Sequence, residues 1–322
     1  MFKDYLSNKK LNFFCVTMPK NIPVIKKNYI NLKSFYKNFN YYIICPKKDV
    51  VKFQRELHMS NIQIINEDSF LTKRDFSKIF HKYFSKTNYL KKIKWREGWY
   101  YQQVLKISFV FFFFKNKNTK HLIQWEADTI ILRKIEFFKN NKPIIYGTLF
   151  EKNNKYFVTL KELFRKLPKH YLSFTFQFSS LNYSIINNLF TKLNSYERFN
   201  FKNTPAKWIS TIMLHSITTI HKNYNISFFS EQDLFGISQL LNKKKTYQKT
   251  FIYFRNFTRG ELSNFEIRVL KKLKFYHITY DNYDLVKNKK SNQFFFFYYL
   301  LRLIIRYLYR QIKYLLSYLI KN

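Results

Sequence analysis

Two carboxylates separated by one residue, Glu126 and Asp128, have the type and spacing that best suit metal chemistry in this chain. Acidic groups are scarce, at 19 Asp plus Glu against 58 Lys plus Arg. Alternate residues of an extended segment project to the same side, which predicts that both side chains approach one point. Such oxygen ligands suit Mn²⁺ or Mg²⁺ bound to phosphates. The pair therefore predicts an enzyme with a nucleotide-activated substrate, although an E-x-D is also common in a turn or cap.

A second group of candidates lies on a segment that is predicted to be helical from Trp99 into the phenylalanine block at 111–114. Trp99, Gln103 and Lys106 are spaced by four and three residues, so they share one helix face. This arrangement could place Lys106 beside a phosphate or a sugar. The alternative interpretation is a solvated or simply packed stripe.

A third group follows an apolar run at 226–229, which is typical of a strand that ends in acids. The acids are Glu231 and Asp233. They could belong to a site, or they could cap the helix that follows.

The elements that must position these groups are short apolar strands alternating with helical stretches. This pattern predicts a parallel sheet covered by helices, in which ligands bind beyond the carboxyl ends of the strands. Thr17, Asp68 and the Glu126/Asp128 pair would all lie near that edge. The expected strands are 12–18, 41–45 and 62–65, with a helix over 50–59.

Composition excludes several classes of protein. The chain has 322 residues and 46% hydrophobic residues, enough for a substantial core. With four glycines and no G-x-G, it has neither a standard dinucleotide fingerprint nor a Walker A loop. Two isolated cysteines fit a reducing compartment, and the polar start predicts that folding begins in the cytoplasm.

The formal charge of +39 implies attraction to polyanions. Nucleic acid is the simplest such partner, but the basic residues are spread along the chain. The sequence also has no zinc-finger spacing and no aromatic RNA-binding signature. Nucleic-acid binding is therefore disfavoured as the main function, though it stays an alternative.

The C-terminal segment, 291–322, is predicted to be a separate basic amphipathic helix. Its cations Arg302, Arg306, Arg310 and Lys313 fall within about 80° of one another on the helix. A strongly apolar helix with a narrow basic stripe suits an anionic membrane surface, contacted through 294–320. A helix docked on the protein's own core and a single membrane span are the alternatives, and four cations make the span costly.

Three motifs resemble a known family. They are Gly98-Trp99-Tyr100-x-Gln102-Gln103-x-x-Lys106, then Glu126-Ala127-Asp128-Thr129, then Ser230-Glu231-x-x-x-x-Gly236. The chain resembles bacterial glycosyltransferase-like proteins of uncharacterised specificity found near surface-polysaccharide genes. The second motif and the lysine helix before it also resemble the glycogenin type of nucleotide-sugar transferase. The resemblance covers roughly residues 10 to 280.

The resemblance implies a role for each matching residue. Asp128 would bind the metal, and Glu126, standing where an aspartate is expected, would contact the ribose, the metal or both. Lys106 would approach the diphosphate or donor sugar, with Gln103 and Trp99 bordering that site. Glu231 would act as the base or orient the acceptor. The family's tyrosine before the glycine is replaced by Phe235.

Taken together, these expectations describe an α/β protein of the GT-A type, a Rossmann-like mixed sheet flanked by helices over residues 1–290. Thr17 and Asp68 would complete its donor site. The function expected is transfer of a sugar from a nucleotide-sugar donor to a surface-polysaccharide or lipid-linked acceptor, at the inner face of the membrane. A non-catalytic scaffold of the same fold is a further alternative.

Overall fold

The structure is a computed structural model. The residues it describes are 10–85, 93–116, 119–147, 154–165, 167, 173–174, 177–194, 205–220, 228–242, 247–250, 253–255, 260–280, 289 and 291–319.

The strands of the described chain are short, and the first three match the apolar runs expected from the sequence. They are β1 (Leu11–Val16), β2 (Phe39–Cys45), β3 (Ile62–Asn66), β4 (His121–Trp125), β5 (Thr129–Ile131), β6 (Phe138–Lys139), β7 (Lys142–Gly147), β8 (Phe178–Asn182), β9 (Tyr247–Thr250), β10 (Phe254–Arg255) and β11 (His277–Thr279).

Helices separate most of these strands. They are α1 (Ile22–Phe35), α2 (Val50–Glu56), α3 (Lys73–Phe84), α4 (Glu97–Asn116), α5 (Asn154–Phe164), α6 (Tyr183–Asn194), α7 (Pro205–Ile220), α8 (Glu231–Leu240), α9 (Asn264–Lys272) and α10 (Gln293–Leu319). The helices expected over 50–59 and from Trp99 are α2 and α4. Of the strand expected at 226–229, residues 228 and 229 are described, and they belong to no strand.

The central sheet has the strand order β3-β2-β1-β4-β8. Its first four strands are parallel, and β8 runs antiparallel to β4. Two three-stranded sheets, in the orders β10-β11-β5 and β6-β7-β9, complete the described architecture. The protein is thus a mixed α/β fold whose mixed sheet is flanked by helices, which confirms the coarse fold class expected from the sequence.

Both faces of the central sheet are buried at β1 and β2. On β1, Phe13 and Cys15 join one apolar cluster, while Phe14 and Val16 join the other. Successive side chains of a strand point to opposite faces, so a strand covered on both sides must be apolar throughout. This requirement explains why the first strands read as continuous apolar runs rather than alternating ones.

Helix α4 lies inside the protein rather than on its surface. Twelve of its twenty residues are buried, and it contacts β1, α3 and α7. Gln103 and Lys106 are among the buried residues, so a solvated stripe was the wrong alternative for these two positions. A buried ammonium group needs charged or hydrogen-bonding partners to offset its lost hydration, which directs attention to the surroundings of Lys106.

Helix α10 begins against the domain. Phe296 and Leu300 are buried in an apolar cluster with Phe254 and Leu270, so the first turns dock on the core, as one alternative held. Arg302 and Arg306 are exposed, and the side chains of Arg310 and Lys313 lie outside the described part of the structure. Among the described helices, none is long and apolar enough to cross a membrane.

Candidate functional site

A buried ion cluster links three elements that are distant in the sequence. Lys106 Nζ lies 2.6 Å from Glu126 Oε1 and 2.9 Å from Glu231 Oε1. Lys106 comes from the middle of α4, Glu126 follows the last residue of β4, and Glu231 opens α8. The structure thus brings together three residues that the sequence analysis singled out separately.

The three charged side chains differ in their access to solvent. Those of Lys106 and Glu231 are 5% and 2% exposed, whereas that of Glu126 is 18% exposed. Glu126 is therefore the member through which the cluster meets solvent. With two carboxylates against one ammonium, the ionised cluster carries an excess negative charge and can take up one proton.

Glutamine side chains connect the carboxylates. Gln124 Nε2 donates to Glu126 Oε1 at 2.9 Å and to Glu231 Oε1 at 2.7 Å. Gln232 Nε2 donates to Glu126 Oε1 at 3.1 Å. Gln103 accepts the backbone N–H of Glu231 through its Oε1 at 2.9 Å. These bonds fix the positions of both carboxylates, and the carboxylates in turn fix the position of the Lys106 ammonium group.

Local sequence explains how Glu231 reaches the cluster. Ser230 is the N-cap of α8, where its side chain accepts the backbone N–H of Asp233 at 3.2 Å. Glu231 is then the first residue of the helix, beside its positive end, which favours a carboxylate. The cap is therefore supplied by Ser230, and not by Glu231 and Asp233 as the alternative interpretation held.

Burial and charge act against each other on the pKa of these groups. Burial by itself would lower the pKa of Lys106, but the Glu126 and Glu231 carboxylates outweigh it and raise the pKa above its usual value. Burial raises the pKa of Glu231, with Lys106 opposing and Glu126 reinforcing the rise. The ammonium thus stays charged, and Glu231 is the carboxylate whose burial favours the protonated form.

Asp233 is a further buried acid on α8. Burial raises its pKa to about 7, while the backbone N–H of Phe174, which donates to Asp233 Oδ1 at 2.8 Å, opposes the rise. The helix therefore carries two acids, Glu231 and Asp233, whose pKa values lie above the usual value of a carboxyl group.

Asp128 occupies a turn beside the cluster. The backbone N–H of Thr129 donates to the carbonyl of Glu126 at 3.2 Å, so residues 126 to 129 form a turn between β4 and β5. Alternation along an extended segment was therefore the wrong reason to pair Glu126 with Asp128. Asp128 Oδ1 accepts the hydroxyl of Thr129 at 3.2 Å, and the side chain is partly exposed.

The contacts of Glu126 bear on its expected role as a metal ligand. Glu126 Oε1 already accepts from Lys106, Gln124 and Gln232, and the adjacent ammonium repels a cation. Within the described residues, no group of three or more His, Cys, Asp or Glu residues could hold a metal ion. A divalent cation can, however, bind through one carboxylate together with substrate phosphates. The adjacent ammonium and the three donors on Oε1 therefore disfavour Glu126 as the ligand.

The profile of a family of unknown function, DUF6492, matches residues 22–279. The chain belongs to the DUF6492 family. The match begins at the first residue of α1 and ends at the last residue of β11, so it includes the ion cluster and Asp128. Thr17 and α10 of this DUF6492 chain lie outside the matched range. The search of curated proteins produced no match to the chain.

The remaining expected site residues of this DUF6492 protein have separate partners. Thr17 follows β1, and its hydroxyl accepts from Asn21 Nδ2 at 3.2 Å. The backbone N–H of Asp68 donates to Asn66 Oδ1 at 3.0 Å after β3. Trp99 is half-buried, with its ring 5.1 Å from that of Tyr100. The described contacts therefore join Gln103, Lys106, Glu126 and Glu231, but not these three.

Thr17 and Asp68 nevertheless lie at the sheet edge where the sequence placed them. Each follows a parallel strand of the central sheet, as Glu126 does, and parallel strands end at one edge. Glu67, next to Asp68, is partly buried, and burial together with the Asp68 charge raises its pKa to about 7. Polar and acidic groups therefore follow three of the four parallel strands of the DUF6492 sheet.

Sequence reasoning missed Gln124 and Gln232. Gln124 lies two residues before Glu126, and a polar residue between the apolar Ile123 and Trp125 of β4 was a usable signal. Gln232 offered no comparable signal, because its contact with Glu126 depends on how α8 packs against β8 and α4 in the DUF6492 fold.

Proposed function

We propose that this protein is a nucleotide-sugar-dependent glycosyltransferase of the GT-A type, acting on a surface-polysaccharide or lipid-linked acceptor. The observation that carries the proposal is the Lys106–Glu126–Glu231 cluster at the carboxyl edge of a parallel sheet. All three residues belong to the motifs that resemble glycosyltransferases, and side-chain contacts connect them across the fold.

The location of the cluster supports a ligand site. In open α/β sheets, ligands bind beyond the carboxyl ends of the strands. Glu126 and Asp128 follow β4 at that edge, and Thr17 and Asp68 follow β1 and β3. In the proposal, the nucleotide lies along this edge, with its diphosphate near Asp128.

Lys106 has a positioning role in this arrangement. Its side chain is 5% exposed and bonded to two carboxylates, so its charge is largely neutralised within the protein. It holds Glu126, the most exposed member, in a fixed direction. Glu126 then supplies acceptors for the ribose or donor-sugar hydroxyl groups, a role that a longer acid in place of aspartate can still perform.

Sugar transfer also needs a destination for a proton. The acceptor oxygen forms a bond to the anomeric carbon, the bond from that carbon to the diphosphate oxygen breaks, and the acceptor hydroxyl loses its proton. The cluster can take this proton, because two carboxylates share one ammonium and burial raises the pKa of Glu231. In the proposal, Glu126 lies next to the acceptor hydroxyl. Glu231 helps the cluster to hold the proton that the hydroxyl loses.

Asp128 would hold Mn²⁺ or Mg²⁺ together with the diphosphate. When bound, such an ion neutralises charge on the leaving nucleoside diphosphate.

The proposal is tested by calorimetric titration of UDP and GDP into the full chain, with and without Mn²⁺. We expect binding of one nucleotide that Mn²⁺ strengthens, and at least about a tenfold weaker affinity in Asp128→Asn, equivalent to about 1.4 kcal/mol. Asp75→Asn, in the first turn of α3, is the matched control and should bind as the natural protein does. Folded protein that binds neither nucleotide in either condition would contradict the proposal.

The net charge of +39 favours nucleic acid as the second candidate partner. Submicromolar, salt-dependent binding of DNA that Asp128→Asn leaves unchanged would support this candidate. The same calorimetric preparation can be used, so the two functions are compared on one protein sample.

A further inference from the structure

The described side chains of helix α10 that pack on the domain lie along one face of the helix. Phe296 and Leu300 are fully or nearly buried, and Leu303 and Ile304 pack partly against the same cluster. These positions recur at spacings of three and four, so they form one stripe of the helix. The stripe anchors α10 and sets which of its other faces point outward.

The outward face of α10 carries a second apolar stripe. Leu301, Ile305, Leu308 and Ile312 recur at spacings of four, three and four, and each is between 54% and 59% exposed. A surface helix normally presents polar residues on the face opposite its buried stripe. An exposed apolar stripe of this length is typical of a surface that binds a partner or a membrane.

Basic residues border the exposed stripe. Arg302 and Arg306 are exposed and lie one turn apart, each directly after a residue of the stripe. At about 100° per residue, this row lies beside the apolar face and away from the buried one. The sequence of α10 contains no Asp or Glu, so no acid of the helix itself neutralises this cationic border.

We propose that α10 binds an anionic lipid surface, lying flat with its apolar stripe among the acyl chains and its arginines at the headgroups. Amphipathic helices with a basic border bind interfaces in this way, through buried apolar area and attraction to anionic lipid. The proposal concerns a surface remote from the ion cluster in the sequence, and it holds or fails independently of the proposed transferase activity.

Charge complementarity favours lipid over the other occupants of this stripe. A second copy of the chain would bring two cationic helices together, each on a protein with a charge of +39, and like charges at an interface are unfavourable. Nucleic acid would pair with the arginines but leave the apolar stripe in water. An anionic membrane can bury the apolar stripe among its acyl chains and pair its headgroups with the arginines.

The test is co-sedimentation of the full chain with vesicles of phosphatidylcholine alone and with about 30 mol% phosphatidylglycerol. We expect strong binding only to the anionic vesicles. Leu301→Ser/Ile305→Ser/Leu308→Ser should reduce binding at least about tenfold, because three apolar side chains are lost from the interface. Arg302→Gln/Arg306→Gln should reduce the preference for anionic lipid.

Matched controls separate this surface from general apolarity and charge. Ile30→Ser/Val51→Ser removes two side chains that are 66% and 75% exposed on other helices, and Arg55→Gln/Arg74→Gln removes two exposed arginines elsewhere. Both controls should bind vesicles as the natural protein does, and circular dichroism should show that all variants fold.

Three results would overturn the proposal. The first is equal binding by the triple-serine variant, and the second is self-association that this variant abolishes without any vesicle binding. The third is binding of an oligonucleotide, but not of vesicles, that depends on Arg302 and Arg306. Absence of nucleotide binding by the natural protein would bear only on the proposed transferase, so the two failures are distinguishable.

Discussion

Lys106 and Glu231 are 125 positions apart in the chain, yet Lys106 Nζ lies 2.9 Å from Glu231 Oε1. Both side chains are almost completely buried. A buried ion pair of this kind contributes little over an apolar pair of the same volume, but breaking one half of it is costly. The contact therefore links α4 to α8. Each of the two charges needs the other to offset the cost of its burial.

Replacing Lys106 with methionine should destabilise the protein by about 3–5 kcal/mol, because the buried carboxylate of Glu231 and the partly buried one of Glu126 lose their counter-ion. Urea unfolding measures the change. The triple variant Lys106→Met/Glu126→Gln/Glu231→Gln should recover part of the loss, since it removes the uncompensated charges. Lys26→Met is the control, because Lys26 pairs with Glu56 on the exposed surface and should alter stability little. If the triple variant recovered none of the loss, the charge explanation would be wrong.

Replacing Glu231 with glutamine should distinguish two roles of this residue in the proposed reaction. Glutamine keeps an oxygen that accepts from Lys106 and Gln124 but cannot take up a proton. A base role predicts a fall in kcat of about 10²-fold or more, loss of one limb of the pH profile and unchanged nucleotide affinity. A role confined to positioning predicts weaker nucleotide binding with the shape of the pH profile retained.

Gly236 should tolerate no side chain, because a Cβ built there would lie 2.1 Å from Phe174 Cγ. Gly236→Ala should therefore destabilise the protein by about 1–3 kcal/mol, although alanine is the better helix former. Gly98→Ala is the matched control, since a Cβ at that helical glycine meets no atom within 4 Å among the described residues. It should leave stability unchanged or raise it by up to about 0.5 kcal/mol. Thermal unfolding of the two variants side by side checks the contrast.

Asp233 should make stability fall as pH rises toward neutrality. Its folded pKa of about 7 lies above the ordinary value of 3.8, so the folded state binds the proton more tightly than the unfolded state does. This contribution is fully present below about pH 4 and is lost as pH rises through about 7, at up to about 1.4 kcal/mol per pH unit.

Asp233→Asn should remove that dependence while keeping an oxygen to accept the N–H of Phe174. The free energy of unfolding of the natural protein, minus that of the variant, should therefore decline from about pH 4 to about pH 7 and level off above it. A difference that is constant across this range would show that Asp233 does not titrate as its burial indicates.

Much of the local structure was predictable from the sequence. The apolar runs that form β1, β2 and β3 were recognisable because strands covered on both faces need apolar residues throughout, and prolines follow the first two. Helix α4 was recognisable from the three- and four-residue spacing of the polar residues that follow Trp99. Lys106, Glu126 and Glu231 were recognisable as candidate site residues because charged groups next to apolar runs need partners or a ligand to offset their lost hydration.

Other features depended on tertiary structure. The sequence paired Glu126 with Asp128 by alternation, but the chain turns between them, and Glu126 pairs with Lys106 instead. Gln232 joins the cluster only because α8 packs against β8 and α4. Likewise, the sequence did not distinguish the apolar residues of α10 from one another. In the structure, Phe296 and Leu300 pack on the domain, whereas Leu301 and Ile305 are exposed. Local patterns reflect the burial of each segment, whereas which segments meet depends on the packing of elements far apart in the chain.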